Sequence, residues 1–291
     1  MTERLKELGL SIDKQLDNAV FSATNSDGVL FYWVDHPQGK ALISAYGAHI
    51  ISYHPTNQSE QFWLSKTSAL DGSAPIRGGV PICWPWFGNT RQPNHGYART
   101  QIWKLGSIKT TEENTELTLT LSDDMLDEPE FKFALECKFT VGKELHIDLT
   151  TTNLDDHTIE LGAALHSYFA ADRDSAKVTG MGDTFLDKTD NFAKKTQSEF
   201  ALAEENDRLY IEPSHNVTLI HGDGRQLKLT HQGEDTVVIW NPGDTKAEGI
   251  ADIHAGGAKE YLCVESVRTQ NPVKLGVKET YTLSQHLAPK A

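Results

Sequence analysis

The sequence predicts an all-β fold, a large antiparallel β-sandwich with a short N-terminal helix. More than ten short segments alternate apolar and polar residues with the period of two that a half-buried strand requires. Glycine, asparagine, aspartate and proline separate these segments at short intervals, as turns between neighbouring strands do. No apolar repeat of helix length intervenes, apart from one candidate after Lys246. This pattern favours packed antiparallel sheets over strands that alternate with helices.

The N-terminal segment has a helical period. Apolar residues recur there at spacings of three and four, at Leu5, Leu8, Ile12 and Leu16. We therefore predict a helical arm over residues 1–18. Residues 19–291 are predicted to form a single β domain, because no Gly/Ser-rich or Pro-rich linker divides them.

The strand candidates are rich in β-branched and aromatic residues. In chain order they are 29–34, 41–46, 50–53, 62–64, 115–121, 131–141, 144–151, 160–170, 217–220, 226–230, 236–240, 261–266 and 279–285. The segment 131–141 gives the strongest signal, because it alternates over its whole length. Gly142-Lys143 follows it, which predicts a tight hairpin turn before the next strand.

The segment Pro75–Arg99 fits neither a helix nor an alternating strand. It holds four prolines, four glycines, two tryptophans, three arginines and a histidine. Gly78-Gly79 permits backbone angles that other residues avoid, while the prolines fix φ and remove hydrogen-bond donors. A rigid, irregular segment with cations and aromatics is typical of a binding site. The alternative is a stiff connection whose aromatic side chains only fill the core.

Charge and cysteine content limit the possible partners. A formal net charge of −14, with no long Lys/Arg run, argues against nucleic acid as a partner. An anionic substrate needs local cations in such a field, and the arginines of Pro75–Arg99 are candidates. Three separated cysteines indicate a reducing compartment. Because the sequence also shows neither a signal peptide nor a membrane span, we expect a cytoplasmic protein without a membrane partner.

His166 is the first candidate for acid/base chemistry. In a regular strand it shares a face with Gly162, Ala164 and Tyr168. Gly162 and Ala164 are small and leave room beside the imidazole. Histidine titrates near neutral pH and can donate or accept a proton. A hydrogen-bonded structural histidine is the alternative.

Glu265 is the second candidate. Within the strand 261–266 it shares a face with Tyr261 and Cys263. A carboxylate among apolar strand residues is costly to bury unless it is paired or used, and burial raises its pKa towards that of a working base. The alternative is a charge at a strand end that faces water.

Other kinds of site find little support. Asp207 lies in a polar loop that enters a strand, and a solvated charge cluster is its alternative interpretation. No histidine or cysteine pair has zinc-site spacing, so we expect no metal. Glycine-rich nucleotide motifs and the G-x-S-x-G nucleophile motif do not occur, so we expect no cofactor. Acid/base chemistry on a polar substrate remains, with His166 and Glu265 as the pair.

Six segments together resemble the family of glucose-6-phosphate 1-epimerases, the hexose-6-phosphate mutarotases related to aldose 1-epimerases. They are LDGSAPIRGGVPICWPWFG at 70–88, HGYAR at 95–99 followed by Trp103, LHSYF at 165–169, NDRLY at 206–210, VVIWNPG at 237–243 and YLCVES at 261–266. The resemblance implies a β-supersandwich of the galactose mutarotase type. It also implies that His166 is the general acid, that Glu265 is the general base, and that neither metal nor cofactor is needed.

The same resemblance implies a phosphate anchor and hydroxyl contacts. By analogy with the family, Arg77 and Arg99 hold the 6-phosphate, while His95 and Asp207 contact sugar hydroxyls. Arg91 lies in a part of the loop whose length varies in the family, so its role stays open.

The predicted function is therefore hexose-6-phosphate mutarotase, which interconverts the α and β anomers of glucose 6-phosphate. Two alternatives stay open: a non-catalytic sugar-phosphate-binding regulatory protein, and an aldose 1-epimerase for unphosphorylated sugars. The expected partner is a small sugar phosphate, and the expected assembly is a monomer or weak homodimer.

Overall fold

The chain folds into antiparallel β-sheets, in a computed structural model that describes residues 3–89, 91–197, 199–202 and 204–290. The predicted arm and domain also include residues 1, 2, 90, 198, 203 and 291, which lie outside these ranges. Two short α-helices occur in the described residues, α1 (Glu3–Glu7) and α2 (Gly243–Ala247). The sequence placed a helix candidate after Lys246, and α2 ends one residue beyond that position, at Ala247.

Twenty-one strands are present among the described residues. They are β1 (Ser11–Asp17), β2 (Val20–Thr24), β3 (Leu30–His36), β4 (Gly39–Ser44), β5 (His49–Pro55), β6 (Ile82–Cys83), β7 (Lys104–Thr110), β8 (Thr115–Ser122), β9 (Phe133–Val141), β10 (Leu145–Asn153), β11 (Ile159–Leu165), β12 (Tyr168–Ala170), β13 (Lys177–Thr179), β14 (Thr184–Asp187), β15 (Ala193–Thr196), β16 (Asn206–Tyr210), β17 (Asn216–Ile220), β18 (Gln226–Gln232), β19 (Thr236–Asn241), β20 (Tyr261–Leu275) and β21 (Thr280–Lys290).

These strands form three sheets. The first holds β1 to β5 in sequence order, and the second has the order β13-β17-β18-β21-β10-β9-β8-β7. The third has the order β15-β14-β16-β19-β20-β11-β6, and β12 also pairs with β20. One hydrophobic core joins all three, with Val34 from the first sheet, Leu149 from the second and Val237 from the third. The predicted all-β sandwich class is confirmed.

The helical arm predicted for residues 1–18 was wrong in its extent. The short helix is present, but it ends at Glu7, and Gly9 follows with a φ of +66°. A left-handed glycine directly after a helix stops it. Ser11–Asp17 then pairs with β2 as an edge strand, so this pairing overrides the helical spacing of Ile12 and Leu16. No helix among the described residues is long and apolar enough to cross a membrane.

The strongest strand prediction is confirmed in its register. Phe133, Leu135, Cys137, Phe139 and Val141 of β9 are buried, and the residues between them are less buried or exposed. The predicted turn joins β9 to β10, where the backbone N–H of Gly142 donates to the carbonyl of Glu144 at 3.0 Å.

Candidate active site

The site forms where one strand partner of β20 is interrupted. β20 pairs with β11 up to Leu165, opposite Ser266, and resumes pairing with β12 at Tyr168, opposite Cys263. The strand predicted over 160–170 is therefore two strands, with His166 between them. The backbone N–H of His166 donates to the carbonyl of Pro81 at 3.1 Å. The interruption thus joins the third sheet to the Pro75–Arg99 segment.

His166 and Glu265 lie side by side in the interior. The distance from His166 Nδ1 to Glu265 Oε1 is 3.4 Å, and the two residues are 8% and 0% exposed. Within the described part of the chain, neither Glu265 oxygen has a hydrogen-bond partner, nor does His166 Nδ1. A buried carboxylate without donors is costly. Such an arrangement is typical of a site built for a ligand rather than for stability.

Burial pushes both groups towards their neutral forms. It raises the pKa of Glu265 well above its usual value, and the negative charge of Asp207 adds to this effect. Burial also lowers the pKa of His166 well below its usual value, and His95 when protonated and the charge of Arg77 act in the same direction. In these neutral forms, the carboxyl of Glu265 carries the one proton that the two groups can exchange. Transfer of that proton to His166 produces a carboxylate base and an imidazolium acid.

Arg77 is fixed beside this pair by two contacts. Its Nε donates to Asp252 Oδ2 at 3.0 Å, and its Nη1 donates to the hydroxyl of Tyr168 at 2.9 Å. The ring of Tyr168 stacks on that of His166, with centroids 4.9 Å apart and planes at 10°. The anchor arginine predicted from the sequence therefore connects to the acid/base pair through one aromatic ring.

The glycines after Arg77 allow the close approach that this arrangement needs. Gly78 has a φ of +122°, and a Cβ there would lie 2.4 Å from the carbonyl oxygen of Trp63. Gly79 has a φ of +56°, and a Cβ there would lie 2.2 Å from the carbonyl oxygen of Ile50. No side chain fits at either position. The two glycines thus position Arg77 against the neighbouring backbone.

His95 lies next to His166, and Arg99 acts on both imidazoles through its charge. The rings of His95 and His166 have centroids 5.6 Å apart, and His95 has a φ of +66°, a strained value for a non-glycine residue. Burial, followed by the charge of Arg99, lowers the pKa of His95 to about 3, so its imidazole is neutral. Arg99 Nη2 donates to the carbonyl of Asn94, while its buried Nε has no hydrogen-bond partner among the described residues.

Asp207 lies within β16 rather than in a loop before a strand. Its Oδ2 is 3.0 Å from Lys188 Nζ, and its strand neighbour on β19 is Trp240. The ring of Trp240 meets that of His166 nearly edge-on, with centroids 5.9 Å apart. Sequence reasoning missed Lys188 as a site residue and placed Trp240 only at the end of the strand candidate 236–240. The pairing of β14 with β16 is the signal that places Lys188 here, because Lys188 directly follows β14.

Three other residues of Pro75–Arg99 pack or pair with the rest of the fold and not with His166 or Glu265. Trp84 is fully buried and its Nε1 donates to Thr151 Oγ1 at 2.9 Å. Trp86 is buried, and the guanidinium of Arg91 lies 4.1 Å from its ring centroid. Arg91 also pairs with Glu130. For the two tryptophans, the core-filling interpretation of this segment is correct.

The pair also belongs to a possible metal-binding set. One donor atom from each of His166, Cys263 and Glu265 lies within 4.8 Å of the other two. Motif spacing misses this set, because its members come from two distant segments. Burial raises the pKa of Cys263 well above its usual value, which disfavours the thiolate that a metal needs. Proton transfer between His166 and Glu265 requires no thiolate.

Comparisons with known proteins show what this chain is similar to. The family model described as aldose 1-epimerase matches residues 31–288. A protein of Salmonella typhimurium and one of Escherichia coli, both named "Putative glucose-6-phosphate 1-epimerase", are 34% and 33% identical to this chain. The alignments cover 96% and 97% of this chain, respectively, and 97% of each relative. A solved structure of "a putative mutarotase (YeaD)" from Salmonella typhimurium has a TM-score of 0.91 at 30% identity, covering 98% of both chains.

Proposed function

The chain belongs to the aldose 1-epimerase family, and we propose that it interconverts the α and β anomers of glucose 6-phosphate. Family membership implies a small-molecule sugar substrate. The observation that supports the chemistry is the buried pair of His166 and Glu265, 3.4 Å apart, whose carboxylate has no donor among the described residues.

Ring opening needs one base and one acid. Glu265 takes the proton from the C1 hydroxyl, and a C=O bond forms at C1 as the bond from C1 to the ring oxygen breaks. The electron pair of that bond goes to the ring oxygen, which takes a proton from His166. The aldehyde rotates about C1–C2, and closure reverses both proton transfers. The pair ends with the one proton it started with, so no further reactant is required.

The phosphate couples binding to the protonation of His166. The charges of Arg77 and Arg99 help to lower the pKa of His166, after burial and His95. A phosphate dianion on these arginines offsets their charge and so favours imidazolium. The phosphate therefore anchors the sugar and also prepares the acid.

Other side chains fit the remainder of the sugar. His95 and Asp207 offer neutral imidazole and carboxylate groups to hydroxyls, and Lys188 adds a third cation near Asp207. Trp240 and Phe87 present partly exposed rings beside His166, as carbohydrate sites often do. Arginines suit a phosphate because their planar fork makes paired charge-assisted bonds.

Two alternatives differ in measurable ways. A mutarotase for unphosphorylated sugars would not depend on Arg77 and Arg99. The name of the matching family model, aldose 1-epimerase, favours this alternative. A non-catalytic sugar-phosphate-binding protein would have no use for the proton shared by His166 and Glu265.

Polarimetry tests the proposal. Freshly generated α-glucose 6-phosphate should mutarotate faster with the purified chain than in buffer, and His166→Gln should abolish the acceleration. A rate equal to that of buffer rejects the enzyme claim. Equal acceleration of glucose and glucose 6-phosphate rejects the phosphate as the determinant.

A further inference from the structure

Two histidines face each other on the two central strands of the second sheet. His146 on β10 lies directly opposite His286 on β21. Their rings stack with centroids 3.8 Å apart and planes at 11°. Leu145 and Ile147, on either side of His146, are fully buried in the main core. The histidines therefore lie on the outer face of the sheet.

A carboxylate completes a three-residue donor set. Glu144 Oε2 lies 2.7 Å from His286 Nε2. One donor atom from each of Glu144, His146 and His286 lies within 4.8 Å of the other two. Two Zn–N bonds of about 2.0–2.1 Å at a tetrahedral angle hold their nitrogens about 3.3 Å apart. The stacked rings are nearly parallel, so zinc binding requires side-chain rotations that turn their in-plane lone pairs towards one ion.

The surroundings leave room for solvent ligands. A groove of about 350 Å³ borders Glu144 and His146, and Glu113 and Thr140 also line it. The net charge of −14 favours the approach of cations over anions. Imidazole and carboxylate together suit a late transition metal better than magnesium or calcium, which prefer all-oxygen ligands.

We propose that Glu144, His146 and His286 form a binding site for a divalent cation of the Zn²⁺ class. The cation cross-links β10 and β21, the middle pair of the eight-stranded second sheet. Its role is structural, because a ligand that binds only the folded chain stabilises it by mass action. This site is independent of the proposed catalytic function.

Calorimetric titration of ZnCl₂ into chelator-stripped protein tests the site. One equivalent of zinc should bind the wild type, and His146→Gln and His286→Gln should each weaken its affinity at least tenfold. Glu144→Gln should also weaken it. His54→Gln, on an exposed strand position, and His157→Gln, beside two aspartates, are matched controls that should bind zinc like the wild type.

Thermal unfolding gives a second readout. Zinc should raise the Tm of the wild type by several degrees and leave that of His286→Gln unchanged, whereas MgCl₂ should shift neither. Metal-free Tm values within about 2 °C of each other exclude misfolding of the variants. The proposal is overturned if the wild type takes up no zinc, or if the His146 and His286 variants bind zinc as tightly as the wild type.

Discussion

Replacing Glu265 by Gln should inactivate the enzyme and make the fold more stable. The amide has nearly the volume of the carboxyl, so the packing of β20 is preserved. Loss of the base should lower kcat by about 10²- to 10⁴-fold, the usual contribution of one positioned acid/base group. The gain in stability follows from burial, because Glu265 is fully buried and its carboxylate lacks donors among the described residues.

The sign of the pH dependence follows from the raised pKa of Glu265. Burial raises this pKa above its ordinary value of 4.5, so the folded chain keeps a proton that the unfolded chain releases. The stability linked to this proton is present below pH 4.5 and is lost as the pH rises through the folded-state pKa. Gln has no proton to lose. The stability of the variant relative to the wild type should therefore increase with pH.

The expected gain is about 1–3 kcal/mol at pH 8, because the buried carboxyl must there keep a proton or carry a charge, at about 1.4 kcal/mol for each unit by which its pKa is raised, whereas Gln does neither. For a chain of this length it corresponds to a rise in Tm of about 2–6 °C. Thermal unfolding of the wild type and the variant at pH 5 and pH 8 measures it. Glu160→Gln, at an exposed position of β11, is the matched control and should show no such trend. A Glu265 variant that is less stable at both pH values, or that keeps a tenth of the wild-type kcat, refutes the reasoning.

Three further predictions concern the rest of the site. Arg77→Met should raise the KM for glucose 6-phosphate about 10- to 100-fold in steady-state assays while sparing turnover of glucose, and Arg91→Met is the control that should change neither. Lys188→Met should shift the basic limb of the pH profile of kcat/KM to higher pH, because Lys188 lowers the pKa of Glu265, whose proton is the one lost there; an unshifted limb contradicts this coupling. Dialysis against EDTA should leave kcat unchanged, whereas a loss of activity that zinc restores in the wild type and also in the His286→Gln variant would assign a metal to His166, Cys263 and Glu265.

The sequence predicted those parts of the site that depend on local strand geometry. The alternation of side chains along a strand placed Glu265 on the same side as Tyr261 and Cys263. In the structure, Tyr261 and Cys263 share one hydrophobic cluster. The same rule paired His166 with Tyr168, whose rings stack. Strand alternation is a local property, so one segment of sequence is enough to reveal it.

Long-range contacts determined the parts that sequence reasoning missed. The strand break at His166 depends on a hydrogen bond to Pro81, which no local pattern reveals. Lys188 reaches Asp207 only because β14 pairs with β16. The N-terminal arm was misjudged for a similar reason, since pairing with β2 decides the conformation of Ser11–Asp17. That residues 19–291 form one domain stays a prediction.

Exchange NMR at anomeric equilibrium tests the central claim most directly. In the proposed function, the buried pair of His166 and Glu265 opens and closes the ring of a sugar held by its phosphate. The wild type should exchange the two anomeric proton signals of glucose 6-phosphate faster than buffer, in a saturable manner, and the Glu265→Gln variant should not. Exchange at the buffer rate with the wild type, or undiminished exchange with the variant, would contradict the account.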